Sequence, residues 1–297
     1  MRSSTVIVRI KGGLGNQLFC YAAGRRLAIA NQAELIVDDV TGFVRDLRYR
    51  RRYMLDRFRI PARKATPTER LEPFERYRRG VAKSLARRRP FHLRRYVEPE
   101  GVDFDPRLLS FEVTGTVYLD GYWQSEGYFK DVEQTIRQDL EIIPPQDGRN
   151  REVAQRIAEC NAVAVHVRWF VSPTAADGQH NVGPSYYAAG IREIRERVPD
   201  PHFFLFSDEP EAAMQALQMA QGATTCIGHN RGDENAYADL WLMSQCRHFI
   251  IANSTFSWWG AWLSPHEQKI IVAPGIVQSG ISSWGFAGCI PGEWTQI

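Results

Sequence analysis

The sequence predicts an α/β protein of two lobes, each built on a parallel sheet. Short apolar runs alternate with helical stretches along most of the chain. That is the pattern of strands buried on both faces and joined by crossover helices. The 297 residues suggest two domains, with one large α/β domain as the alternative. The stretch Ile143-Pro144-Pro145-Gln146-Asp147-Gly148 is the best linker candidate, giving lobes at 1–147 and 148–297.

Taken in order, Thr5–Ile10 (TVIVRI) reads as a buried strand. Asn16–Ala30 reads as a helix with Leu18, Phe19, Ala22, Ala23 and Leu27 on one side, and Glu34–Asp38 as a second strand. The segment 45–95 reads as helical, broken at Pro61, Pro67, Pro73 and Pro90. Thr116–Leu119 is a strand and Tyr128–Leu140 a helix. Beyond the linker, helix 150–159 precedes the strand Ala162–Val167, helix 185–198 precedes His202–Phe206, and helix 209–219 precedes Thr224–Ile227. Helix 235–245 precedes His248–Ala252, and helix 255–263 precedes Lys269–Val272. No internal repeat or low-complexity tract interrupts the pattern.

Hydrophobic residues at 44% and charged residues at 24% are ordinary globular values, so a large core is expected. No apolar run reaches the length of a membrane span, and the opening MRSSTVIVRIKGG is too short in its apolar part for a signal peptide. A cytoplasmic location is expected. Five scattered cysteines without a CxxC pair argue against disulfides and structural zinc and read as small core residues. Charge is asymmetric: Arg45–Arg95 holds nineteen Lys/Arg and five Asp/Glu, a net +14, leaving −11 elsewhere. Such a segment suits a nucleic acid, an anionic lipid surface or a phosphorylated glycolipid, or it is a solvated helical face. Few aromatics interleave with its arginines, which disfavours base stacking.

Four constellations follow strands, where open α/β sheets bind ligands. Lys11–Gln17 (KGGLGNQ) is glycine-rich, with Asp38 downstream. This nearly matches a dinucleotide loop, but Leu18 stands at the third glycine position, and Asn16 and Gln17 add amides that such a loop does not need. His166-Val167-Arg168 ends an apolar strand. Arg168 is suited to grip a phosphate, and His166 either contacts a ligand or is a core histidine. Asp208 after HFFLF either bonds a nucleotide or, with Ser207, caps the next helix. Finally, Asn253, Ser254, Thr255 and Phe256 open an aromatic helix whose first amides form an anion site. Asp239 on the preceding helix offers a carboxylate suited to the paired donors of guanine. Trp258, Trp259 and Trp262 read as core.

GGLGNQLF (Gly12–Phe19), GYWQSEGYF (Gly121–Phe129), HVR, SDE (Ser207–Glu209) and ADLWLMSQCRHFIIANSTFSWWGAWL (Ala238–Leu263) occur in order across almost the whole chain. Together they resemble the bacterial alpha-1,2-fucosyltransferase family. The resemblance implies a GT-B-type architecture of two Rossmann-like lobes, with the acceptor on the N-terminal side and GDP-fucose held mainly by the C-terminal lobe. It implies inverting, metal-independent transfer of fucose to a sugar hydroxyl, usually O2 of a terminal galactose, with no cofactor. Carried over, Arg168 resembles the arginine that neutralises the diphosphate. Asn16, Ser254 and Thr255 resemble further diphosphate contacts. His166 and Asp239 resemble guanine and ribose contacts, with Asp208 beside them. Partners implied are GDP-fucose and a glycan or glycolipid acceptor, with contact at the inner-membrane surface as an option and no nucleic acid.

The chain departs from the family's His-x-Arg-Arg-x-Asp pattern, with Trp169 for the second arginine and Val171 for the aspartate. The polar loop 172–183 follows, and Asp177 and His180 are its candidate substitutes on the acceptor side. Two other classes remain open at this point: an NAD-dependent oxidoreductase using Gly12–Gly15 and Asp38, and a nucleic-acid binder using Arg45–Arg95. A catalytically dead glycan-binding relative is a third.

Overall fold

The apolar run Val6–Val8, at most 4% exposed, is the centre of strand β1 (Thr5–Arg9). It sits in a computed structural model that describes residues 4–169, 182–275, 277–279 and 282–297. The chain divides into two compact units. One is Met1–Glu141 with Ala287–Cys289; the other is Ile142–Phe286 with Ile290–Ile297.

In the first unit β1 leads into helix α1 (Leu14–Ala30) and strand β2 (Glu34–Asp38). Strand β3 (Arg63–Lys64), helix α2 (Glu75–Arg87), strands β4 (Tyr96–Val97) and β5 (Thr116–Leu119) and helix α3 (Glu133–Asp139) follow. The sheet order is β3-β2-β1-β5-β4, and every neighbouring pair is parallel. Gly12 lies at φ +77°, a conformation glycine adopts freely. Gly24 lets α1 lie on β1, because a Cβ there would come within 2.9 Å of Val8. The close approach that a third loop glycine would serve is made here instead, and Leu18 is fully buried.

The expected helix across 45–95 shrinks to α2; the rest is turns, two-residue strands and short 3-10 turns at Leu55–Arg57 and Phe91–Leu93. The prolines remove amide donors and confine the residues before them, so no longer helix can run through. The expected helix 128–140 starts as two 3-10 turns, Glu126–Tyr128 and Lys130–Val132, and becomes α-helical only at Glu133.

In the second unit helix α4 (Gly148–Ala158) is capped by Asp147, whose carboxylate accepts from the Asn150 amide at 2.9 Å. Part of the linker candidate is therefore a helix cap. There follow β6 (Asn161–Val167), α5 (Pro184–Arg197), β7 (Pro201–Ser207), α6 (Pro210–Ala216), β8 (Thr224–Ile227) and α7 (Ala236–Gln245). Then come β9 (His248–Ile250), α8 (Thr255–Leu263), β10 (Ile271–Ala273), the antiparallel pair β11 (Val277–Ser279) and β12 (Ser282–Trp284), and β13 (Thr295–Gln296). The main sheet is parallel, in the order β13-β10-β9-β6-β7-β8. On the buried side of α8, Trp258 is stacked on Trp262 at 6.2 Å and tilted against Trp294 at 5.4 Å. Trp258, Trp259 and Trp262 are at most 4% exposed, which is their core role.

Cys20, Cys246 and Cys289 are buried as small core residues, whereas Cys160 is half-buried and Cys226 exposed, against expectation. Both sit where the chain leaves the core: Cys160 just past the end of α4, Cys226 on the edge strand β8. Among the described residues no helix is long and apolar enough to cross a membrane.

Candidate functional site

In the second sheet the chain runs from β6 outward to β7 and β8, then returns to β9 on the other side of β6. The carboxyl ends of β6 and β9 therefore flank a topological switch point, where loops diverge and leave a crevice. His166 and Arg168 leave the end of β6; Asn253, Ser254, Thr255 and Phe256 follow β9. The rings of His166 and Phe256 lie 5.5 Å apart and join the two sides.

His166 is 6% exposed, and its Nδ1 has no hydrogen-bond partner among the described residues. Burial, aided by the Arg168 charge, pushes its pKa down to about 3, so the ring is neutral at physiological pH. A buried ring nitrogen left unpaired is costly unless a ligand meets it. Arg168 pairs through Nη1 with the Asp208 carboxylate at the end of β7. Asp208 therefore holds an arginine. It does not cap α6, whose N-cap is Glu209 with no side-chain cap and with Pro210 at its first turn. Ser207 Oγ accepts from the Glu209 amide at 3.1 Å, tying down the turn.

Ser254 is the N-cap of α8, its Oγ accepting from the Phe256 amide at 3.3 Å. The helix's positive end thus opens at the switch point. Asp239 on α7 accepts from Asn230 Nδ2 at 2.9 Å. Burial, with the nearby Asp208 charge, pushes its carboxyl up to about 7 despite that bond.

Two tyrosines that sequence reasoning missed hold this end of the sheet. Tyr187 donates to the His166 carbonyl at 3.1 Å. Tyr186 donates to the Ile251 and Val272 carbonyls at 2.7 and 3.0 Å, pinning the carboxyl ends of β9 and β10. Their sequence signal is an adjacent Tyr pair at the start of α5. Asn230 was also missed; it ties Asp239 to Asn150 at 2.9 Å. Trp169 packs against the apolar cluster that includes Val167, Tyr187 and Ile250. A second arginine at that position would meet apolar side chains. Asp177, His180 and Val171 lie outside the described residues.

Asn16 belongs to the first unit, where its Oδ1 accepts from Gln124 at 2.7 Å. That unit has its own switch point, between β1 and β5. There the fully buried Asp120 carboxylate meets Lys11 at 2.7 Å, Lys83 at 3.0 Å, Arg9 at 3.2 Å and the Tyr96 hydroxyl at 2.6 Å. Burial alone would raise its pKa; Lys11 and Arg9 overcome that and hold it well below the usual carboxylate range. Gln17, buried in α1, donates to the Gly12 and Arg52 carbonyls and accepts from the Met54 amide, all at 2.9 Å. Asp38 accepts from the amides of Val40 and Thr41 and the hydroxyls of Thr41 and Tyr118. Its acceptor capacity is spent internally, which removes the ribose contact that an NAD reading needs.

A family model for Glycosyl transferase family 11 matches residues 5–283. An alpha-1,2-colitosyltransferase from Escherichia coli is 30% identical over 91% of this chain and 91% of its own. The O-antigen biosynthesis glycosyltransferase WbnK of Escherichia coli is 29% identical over 89% of this chain and 92% of its own. Among solved structures, fucosyltransferase NodZ from Bradyrhizobium is 15% identical at a TM-score of 0.54, covering 89% of this chain and 95% of that one. A mutant of Arabidopsis thaliana FUT1 in complex with GDP is 13% identical at a TM-score of 0.56, covering 91% of this chain and 70% of that one. These structures share the fold, two parallel α/β lobes of the GT-B type. Motif order, fold and family model converge on one assignment: the chain belongs to Glycosyl transferase family 11 and is a glycosyltransferase.

Proposed function

We propose that this protein transfers fucose from GDP-fucose to the 2-hydroxyl of a galactose-terminated glycan, with inversion and without a metal. The observation that carries the reading is the second unit's switch point: Arg168, the positive end of α8 and a buried His166 nitrogen with no partner among the described residues, at the carboxyl ends of β6 and β9. In this reading Arg168 and the first turn of α8, with Ser254 and Thr255, hold the diphosphate. Asp239 takes the paired N–H donors of guanine, and neutral His166 bonds the nucleoside with Phe256 packed beside it. Asn253 adds a polar contact to the same loop.

The acceptor oxygen attacks the anomeric carbon from the face opposite GDP. The bond to the β-phosphate oxygen breaks, GDP leaves with its electron pair, and the acceptor hydroxyl's proton passes to solvent. Negative charge grows on the leaving diphosphate, where preorganised donors are worth most. Arg168 is the catalytic residue of this scheme. Asp208 holds the guanidinium from behind and is a positioning residue.

The name of one relative, alpha-1,2-colitosyltransferase, supports a 1,2 linkage and brings in a second donor sugar. The test is a transfer assay with GDP-fucose, GDP-colitose and GDP-mannose against galactose-terminated oligosaccharides, run with and without EDTA. Fucosyl transfer to O2, unaffected by EDTA, is the expected result. Transfer of colitose alone overturns the donor assignment. Loss in EDTA restored by Mn²⁺ overturns the metal-free mechanism.

A further inference from the structure

The first unit contains a cationic cavity that the nucleotide reading does not use. It encloses about 340 Å³ and is lined by Arg9, Arg45, Arg76, Arg79, Lys83 and Glu75, with Thr41 among the remaining wall residues. Arg9 and Lys83 are already engaged. Arg9 pairs with Asp120 and bonds Thr41, and Lys83 meets Asp120 at 3.0 Å and Glu98 at 2.6 Å. Arg45, Arg76 and Arg79 make no ion pair among the described residues.

Arg79 is the unusual member. It is 8% exposed, yet its Nε and Nη2 are buried with no hydrogen-bond partner among the described residues. A guanidinium is always charged, and burying it unpaired is strongly unfavourable. The fold holds it in place nonetheless. Residues 79 and 83, four apart on α2, look into the cavity, while Ala82 and Ala86 face the core. Such a group is set up for an anion that arrives from outside.

The charge decides which anion. Three unpaired guanidinium groups against the single carboxylate of Glu75 leave two positive charges. A sugar carboxylate neutralises one. A phosphate monoester, with roughly −1.5 to −2 at pH 7, or a diphosphate diester matches both, and its oxygens suit the arginine fork. The donor's own diphosphate is assigned to the second unit, so an anion in this cavity comes with the other substrate. We propose that the cavity around Arg79 is a phosphoryl-binding subsite for an acceptor that carries a phosphate or diphosphate. Naming the acceptor as carrier rests on the transferase reading; the anion site does not.

Two measurements test it. First, inorganic pyrophosphate is titrated calorimetrically into protein saturated with GDP. Wild type is expected to bind with micromolar to millimolar affinity, and Arg79→Gln to lose at least tenfold. Because GDP fills the nucleotide site, this result is independent of which sugar is transferred. Second, kcat and KM are compared for one galactose-terminated oligosaccharide presented as an alkyl glycoside and as the matching alkyl diphosphate. Wild type should prefer the diphosphate tenfold or more, through KM. Arg79→Gln and the exposed-site double variant Arg45→Ala/Arg76→Ala should erase that preference and leave the alkyl glycoside unchanged. Arg79→Lys should restore part of it.

Removing an unpaired buried charge should leave the melting temperature of Arg79→Gln equal to wild type or higher. A fall of several degrees would mark Arg79 as a structural residue and overturn the proposal. So would equal use of both acceptors by wild type. Arg79-dependent binding to phosphatidylglycerol vesicles without pyrophosphate binding or acceptor preference would assign the phosphoryl group to bulk lipid, and it too would overturn the acceptor assignment. Pyrophosphate binding that depends on Arg79, in a protein that transfers no fucose, would keep the anion site and sink the donor reading instead.

Discussion

The two sheets have the same plan and opposite treatment of their switch points. In the first unit the crevice between β1 and β5 is filled by the protein's own charges. Asp120, with no exposed side-chain surface, is surrounded by Arg9, Lys11 and Lys83 and by the Tyr96 hydroxyl. In the second unit the carboxyl ends of β6 and β9 bring together an imidazole nitrogen with no partner among the described residues, a helix N-terminus and a half-buried arginine paired with Asp208. One crevice is a closed network that resists change. The other holds a buried nitrogen that no described residue meets. A switch point is thus an opportunity that the fold offers and that side chains accept or decline.

The comparison breaks most visibly through Asp120. Asp120→Asn leaves three cations around a neutral amide, and loss of one partner of a buried ion network costs about 3–5 kcal/mol. Chemical denaturation should register that loss while GDP affinity stays at the wild-type level. Because Asp120 titrates below its unfolded value, its contribution is complete above the ordinary aspartate pKa near 4 and is lost as pH falls further. Arg168→Ala is the counterpart: the melting temperature should hold, and kcat should fall by about 10²–10³, equivalent to roughly 2.7–4 kcal/mol. Normal turnover by that variant would remove the central role assigned to this arginine.

Asp239 gives a smaller, pH-dependent effect. Its carboxyl titrates at about 7, and only the ionised form accepts both guanine donors. The wild-type advantage in GDP affinity over Asp239→Asn should therefore fall about tenfold per unit below pH 7. A flat ratio between pH 5.5 and 8 would separate Asp239 from the base. For the ligand-free protein the sign is reversed, since a carboxyl whose folded pKa is raised favours the folded state at low pH and loses that as pH rises through 7. The smallest effect belongs to Asp208→Asn. Its pair with Arg168 is partly exposed, 45% and 29% by side chain, so stability should change by less than about 1 kcal/mol. A kcat loss under tenfold with an unchanged KM for acceptor would fit a positioning role.

The alternation of strands and helices was legible because buried parallel strands are nearly continuous apolar runs, as in Val163–Val167 or Phe203–Phe206. The α8 cap was legible because Ser254 acts on its own neighbours. What could not be read depends on residues far apart in the chain. Asp38 looks like a ribose ligand until Tyr118, 80 positions away, is seen to bond it. Asp208 looks like a cap until Arg168, 40 positions back, claims it. The basic segment hid its structure for a different reason: its prolines dictate where helix stops but not what replaces it. Arg79 is invisible in a run of arginines, since burial separates it from its neighbours only once α2 lies across the sheet edge.

The indole stack of α8 has a practical consequence. The rings of Trp258 and Trp262 are nearly parallel at 6.2 Å, and Trp294 touches the same group. Chromophores that close share their excited states, so a small tilt of the helix changes both emission and near-ultraviolet circular dichroism. Occupancy at the amino end of α8 should thus be readable in unlabelled protein, by light alone.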